Sequence, residues 1–175
     1  KVEGYDAERV SFMYNYFVLV GPNADPAGAR DAEGVKAAFS AIAAGEHTFI
    51  SRGDKSGTHT AELKLWDASL GLTNDPATSA TYTWYVSAGQ GMGACLTMAN
   101  EQGGYCLTDK ATFLSYKNHA DGDKLPGLSI LFEQDDAMKN TYSMIAVNPD
   151  APFVDSVTGE ALPAGTVTID TTAAD

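Results

Sequence analysis

Nine consecutive residues, Ser51-Arg52-Gly53-Asp54-Lys55-Ser56-Gly57-Thr58-His59, constrain this chain more than any other stretch. They follow the β-branched and aromatic run 47–50 and precede the segment 61–70, whose Leu63, Leu65, Trp66 and Leu70 fit one broad helical face. The order is strand, loop, helix. Gly53 and Gly57 let backbone N–H groups turn inward, Ser51, Ser56 and Thr58 carry hydroxyls, and Arg52 ends in a planar fork that suits an oxyanion. A helix starting near Thr58 adds its unpaired amides and the positive end of its dipole. Such a donor set favours a small, multiply oxygenated anion. The same residues also suit an ordinary strand-to-helix turn, with Ser56 or Thr58 as N-cap and Arg52 as a solvated surface charge.

Other readings compete for this loop. Arg52-Gly53-Asp54 is a cell-adhesion tripeptide, a role that requires it to project into solvent. Ser56 and His59 could form a hydrolytic nucleophile and base, but the spacing Gly-x-x-Ser-Gly departs from the Gly-x-Ser-x-Gly elbow.

Charge narrows the partners. The 175 residues hold 11 Lys and Arg against 23 Asp and Glu, a net charge of −12, and no basic stripe could neutralise nucleic-acid phosphates. So acidic a body repels free anions at long range, and an anion site on it must rely on local dipoles and one well-placed cation. There is no apolar run of about twenty residues and no signal peptide, so the chain as given reads as neither spanning a membrane nor carrying an export address.

Elsewhere, strand and helix patterns alternate. Residues 12–20 read as a buried strand stopped by Gly21-Pro22, after a polar, ragged entry at 1–10. Val35, Ala38, Phe39 and Ile42 recur at helical spacing over 35–44. Gly89-Gln90-Gly91-Met92-Gly93 opens a helix at 94–100, its glycines permitting close backbone approach to a ligand. Thr108 or Asp109 caps a helix running to 116, and 128–132 and 142–147 read as strands. At most a small hairpin is expected at 166–169. The fold class expected is α/β, a mixed or mostly parallel sheet flanked by helices, with ligands beyond the strand ends. Cys95 and Cys106 flank a helix and a turn, and their paired appearance makes a disulfide in an oxidising compartment the expectation, with two buried thiols as the alternative.

The loop, together with Met13-Tyr14-Asn15-Tyr16-Phe17-Val18-Leu19-Val20-Gly21-Pro22, Gly89-Gln90-Gly91-Met92-Gly93, Leu107-Thr108-Asp109-Lys110-Ala111-Thr112-Phe113 and Asn140-Thr141-Tyr142-Ser143-Met144-Ile145-Ala146-Val147-Asn148-Pro149, resembles the substrate-binding proteins of bacterial ABC transporters for tungstate. The resemblance implies a lobe of the type II periplasmic-binding fold. Residues 1–21 would be the hinge strand and the end of a first lobe, 22–141 the second, ligand-binding lobe, and 142–175 the return strand and the start of the remainder of the first lobe. The family's Thr- and Ser-rich motif has no counterpart here.

What the resemblance implies for function is an extracytoplasmic binding protein, periplasmic or membrane-associated outside the cell, and not an enzyme, with no catalytic residue, metal or cofactor. Its ligand would be tungstate or a related oxyanion, with molybdate, sulfate and phosphate as alternatives, and its partner the transporter's permease. Arg52 is carried over as the charged contact, Ser56, Gly57 and Thr58 as donors, Ser51 as a shaper of the loop, and Gln90 and Gly91 by analogy. Tyr16 stands where the family has an acidic residue, so the hinge is given no ligand role. A deprotonated anion further requires Asp54 to point away, as a turn residue or as a partner of Arg52. Without the first lobe, the hinge strands would expose apolar edges and favour self-association.

Overall fold

The apolar run near the start of the chain lies in β1, Asp6–Pro22. In this computed structural model, which describes residues 6–147 and Glu160, the remaining strands are β2 (Phe49–Ser51), β3 (Tyr85–Ser87), β4 (Cys106–Asp109), β5 (Leu128–Phe132) and β6 (Lys139–Val147). The helices are α1 (Val35–Ala44), α2 (Gly57–Leu63), α3 (Pro76–Ser79), α4 (Met92–Gln102) and α5 (Lys110–Lys117). The hairpin expected at 166–169 lies outside the described residues.

The chain divides into two units, Asn15–Asn140 and a second made of Lys1–Tyr14 with Thr141–Asp175. In the larger unit β1 pairs antiparallel with both β4 and β5, in the registers Leu19 to Leu107 and Val20 to Ile130. β2 pairs parallel with β3, and a parallel bridge from Phe49 to Tyr105 joins β2 to the residue entering β4. It follows that β2, β3, β4 and β5 all point one way, with β1 against them, which is the mixed sheet expected.

Both faces of this sheet are covered, and that is why residues 17–20 are apolar without alternation. Phe17 and Leu19 join one core with Val35, Ala38, Phe39 and Ile42 of α1 and the aromatic group Phe49, Trp66, Trp84 and Tyr85. Val18 and Val20 join the other with Leu96 and Ala99 of α4, Phe113 of α5, Leu125 and Leu128. Each Val, Leu, Ile or Phe among them stabilises the fold by about 1.5–3 kcal/mol when taken from water.

Two expectations are corrected. The helix expected over 61–70 stops at Leu63, because Trp66 leaves the helical path to enter the core, its ring 4.5 Å from Phe39 and 4.8 Å from Phe49. Asp67 then caps a short 3-10 turn at Ala68–Leu70 by accepting from Ser69 N. The polar entry at 1–10 is extended from Asp6 onward, as part of β1.

In the smaller unit β6 pairs with β1, and the hydroxyls of Ser11 and Ser143 lie 3.0 Å apart. Val10, Phe12, Met13, Tyr14, Tyr142 and Met144 are exposed there. Among the described residues no helix is long and apolar enough to cross a membrane.

Candidate oxyanion site

The common direction of β2 to β5 brings Ser51, Ser87, Asp109 and Phe132, the last residues of their strands, to one sheet edge. In sheets of this kind ligands sit beyond that edge. Two strand-to-helix loops meet there. Ala88 N donates to Ser51 O at 2.9 Å and Gln90 N to Arg52 O at 3.2 Å, so Gln90 and Gly91 stand beside the arginine loop. Both are exposed. The structure therefore brings together two stretches that the sequence separates by an entire helix and more.

Backbone geometry fixes the loop's path. Gly53 is left-handed at φ 59°, and an added Cβ would collide with Ser87 Oγ and crowd Gly89 N, so a side chain there is strained. Lys55 is also left-handed, at φ 61°, an uncommon conformation for a residue with a side chain. Ser56 is the N-cap of α2, its Oγ accepting from His59 N at 3.2 Å. The amides of Gly57 and Thr58 lie in the first turn, where no intrahelical acceptor exists. Gly91 caps α4 with no side-chain acceptor for that helix's first amides.

Charge in the loop is self-compensated. Arg52 Nη2 donates to Asp54 Oδ2 at 2.5 Å, while Asp54 Oδ1 accepts from Ser56 N at 3.1 Å. Burial pushes the Asp54 carboxyl up, but the Ser56 hydroxyl and amide, and then Arg52, outweigh it and hold the group below the ordinary carboxylate range. Asp54 is thus both a turn former and the partner of Arg52. Arg52 is not spent by this pairing: its Nε is buried with no hydrogen-bond partner. A buried guanidinium N–H without an acceptor is costly, and an oxyanion can supply one.

Ser51 is the residue whose placement departs from the donor set. It is fully buried, its Oγ donating to Glu62 Oε2 at 2.5 Å and accepting from Gly53 N at 3.3 Å. It shapes the loop and presents no hydroxyl to a ligand. The acceptor, Glu62, was missed by sequence reasoning, since an acid between Ala61 and Leu63 reads as solvated. Its Oε1 accepts from Trp66 Nε1 at 2.8 Å and from the Tyr85 hydroxyl at 2.7 Å. Burial raises its pKa to about 7, against the lowering effect of the bonds from Ser51, Trp66 and Tyr85.

The competing readings fare differently. The contact between Ser56 and His59 runs from the His59 amide, and the ring's Nδ1 instead accepts from Lys55 N at 3.2 Å. Burial keeps His59 below the ordinary histidine range, Asp54 opposing and Arg52 adding to that effect. Arg52 and Asp54, paired with each other and with side chains only 22% and 23% exposed, do not project as an adhesion tripeptide must. The bridge expected between Cys95 and Cys106 is corrected: both are free, buried thiols. Each belongs to the core and has its own carbonyl, Gln90 O for Cys95 and Leu107 O for Cys106. Burial pushes Cys95 up to about 11 and raises Cys106 well above the ordinary thiol range, so neither is a reactive thiolate.

Comparison with known proteins gives consistent likenesses. Residues 1–162 match the PBP superfamily domain. The tungstate-binding protein TupA of Peptoclostridium acidaminophilum is 41% identical over 149 residues, covering 84% of this chain and 48% of its own length. Among solved structures, the tungstate-binding protein TupA of Desulfovibrio alaskensis is 43% identical with a TM-score of 0.68, covering 83% of this chain and 55% of that one. The tungstate ABC transporter structure from Geobacter sulfurreducens is 44% identical with a TM-score of 0.64, over 85% and 57%. The chain spans about half the length of the curated relatives it matches.

Proposed function

We propose, from the premise that the chain belongs to the PBP superfamily, that it supplies the arginine-bearing part of the site in an extracytoplasmic solute-binding protein that captures tungstate, or a closely related tetrahedral oxyanion, for an ABC importer. The observation that carries this reading is Arg52 Nε, buried without an acceptor where two amide-rich loops meet. Arg52 supplies the charge-assisted contact, and the first-turn amides of α2 and α4 with Thr58 supply the rest. Ser56 acts through its cap on α2 and by holding Asp54, which engages both its hydroxyl and its amide. The names of the relatives support tungstate over molybdate, sulfate or phosphate, and transport over catalysis.

Calorimetric titration of the protein at full length with tungstate, molybdate, sulfate and phosphate tests this reading. Tungstate should bind tightest, and a clear preference for phosphate overturns it. The apolar side chains displayed on β1 and β6 also support self-association of the chain as given through those strands. Light scattering across a concentration series reads this directly, and a strict monomer overturns it.

A further inference from the structure

We propose that Glu62 is a positioning residue for the anion loop, acting through the Ser51 hydroxyl without touching the ligand. The inference rests on the anion reading above and goes beyond it to a group outside the donor set. Ser51 ends β2 and enters the loop, whereas Glu62 sits on α2, which leaves it. The bond between them therefore ties the loop's entry to its exit. Ser51 Oγ passes the restraint to Gly53 N, the residue after Arg52. Trp66 and Tyr85 grip the other carboxyl oxygen from a second side, so the group cannot rotate away.

An acid in this place has a consequence that a neutral anchor lacks. Protonated, Glu62 still accepts from Trp66 and Tyr85 and turns its own proton to the Ser51 hydroxyl, with no charge; ionised, it places a negative charge inside the body that must accept an anion. The groups facing it do not offset that charge. Tyr85 of β3 has its hydroxyl pushed upward by burial and then by Glu62, and the thiols of Cys95 from α4 and Cys106 from β4 are likewise held protonated. His59, one turn earlier on α2, is held below the ordinary histidine range by burial and so adds no positive charge near neutrality. Arg52 is already matched by Asp54. With its carboxyl titrating near pH 7, Glu62 should make the anion bind less tightly as pH rises through neutrality.

The test is tungstate titration of the full-length protein between pH 6.5 and 8.5, as wild type, Glu62→Gln and Ser51→Ala, with melting curves to establish that each is folded. Wild-type affinity should fall on the order of tenfold across that window. Glu62→Gln, which keeps an acceptor for Trp66 and Tyr85 and cannot ionise, should stay within about threefold of wild type at pH 6.5 and show no such fall. Ser51→Ala, which cuts the tie to the loop, should bind roughly tenfold more weakly at every pH. A Glu62→Gln protein with the wild-type pH profile, or a Ser51→Ala protein with wild-type affinity, overturns the role of Glu62 and leaves the anion reading standing. Absence of oxyanion binding by wild type at every pH overturns both.

Discussion

Arg52 Nη2 lies 2.5 Å from Asp54 Oδ2, so the cation of this loop meets its ligand already paired with a carboxylate. The pairing orients the guanidinium and also competes for it. Asp54→Asn keeps an acceptor for Ser56 N and removes the repelling charge. Tungstate affinity should rise by about threefold to fivefold at low ionic strength, and the gain should shrink as salt is added. Isothermal titration at two salt concentrations measures both effects; a loss of affinity would mean that orientation outweighs repulsion.

Arg52 itself should matter more than its partner. A charge-assisted bond contributes roughly 1.5–3 kcal/mol, so Arg52→Ala should weaken anion binding by on the order of ten- to a hundredfold. Arg52→Lys should recover only part, because an ammonium cannot reproduce the fork. Equal affinities in all three proteins would remove Arg52 from the site.

Gly53 and Gly57 should respond in opposite ways to alanine. At Gly53 the left-handed backbone costs roughly 1–2 kcal/mol with a Cβ, and that atom would collide with Ser87 Oγ at 2.1 Å. At Gly57 nothing lies within 4 Å of an added Cβ. Thermal melts should show Gly53→Ala several degrees less stable and Gly57→Ala close to wild type. A similar melting temperature for both would mean that the loop can move off β3.

Glu62 predicts a stability profile that needs no ligand. Its carboxyl ionises at about 7 when folded, against 4.5 as the ordinary value. Between those values the unfolded chain has released the proton and the folded one keeps it, so stability is greatest below the lower value and declines as pH rises to the higher. The decline amounts to about 3 kcal/mol. Urea unfolding at a series of pH values should show Glu62→Gln gaining on wild type from pH 4.5 to 7 and then holding level; a constant difference would refute the shift.

Much of this could be read from residues alone. The helix over 35–44 has the observed bounds because Val35, Ala38, Phe39 and Ile42 mark one buried stripe, and the unbroken run at 17–20 announced a strand covered on both faces. Ser56 as a cap and the strand–loop–helix order were legible from local chemistry. The remainder depended on tertiary partners. Trp66 continues a helical spacing, and only the company of Phe39 and Phe49 explains why it leaves the helix. The bond from Gln90 N to Arg52 O depends on β2 lying beside β3, and the burial of Glu62 on donors from Ser51, Trp66 and Tyr85. The thiol pair had two readings by spacing, and the core, not a bridge, is what it joined.

The position of β1 bears on how the chain is made. Its Leu19 pairs with Leu107 and Phe132, about ninety to over a hundred residues later, so β1 is made well before either partner. Such distant pairing carries a heavy loop-closure cost and slows folding. A nascent chain emerging from the ribosome holds Phe17, Val18, Leu19 and Val20 without their strand neighbours until β4 and β5 arrive, a long interval in which a holding chaperone has an extended apolar segment to grasp.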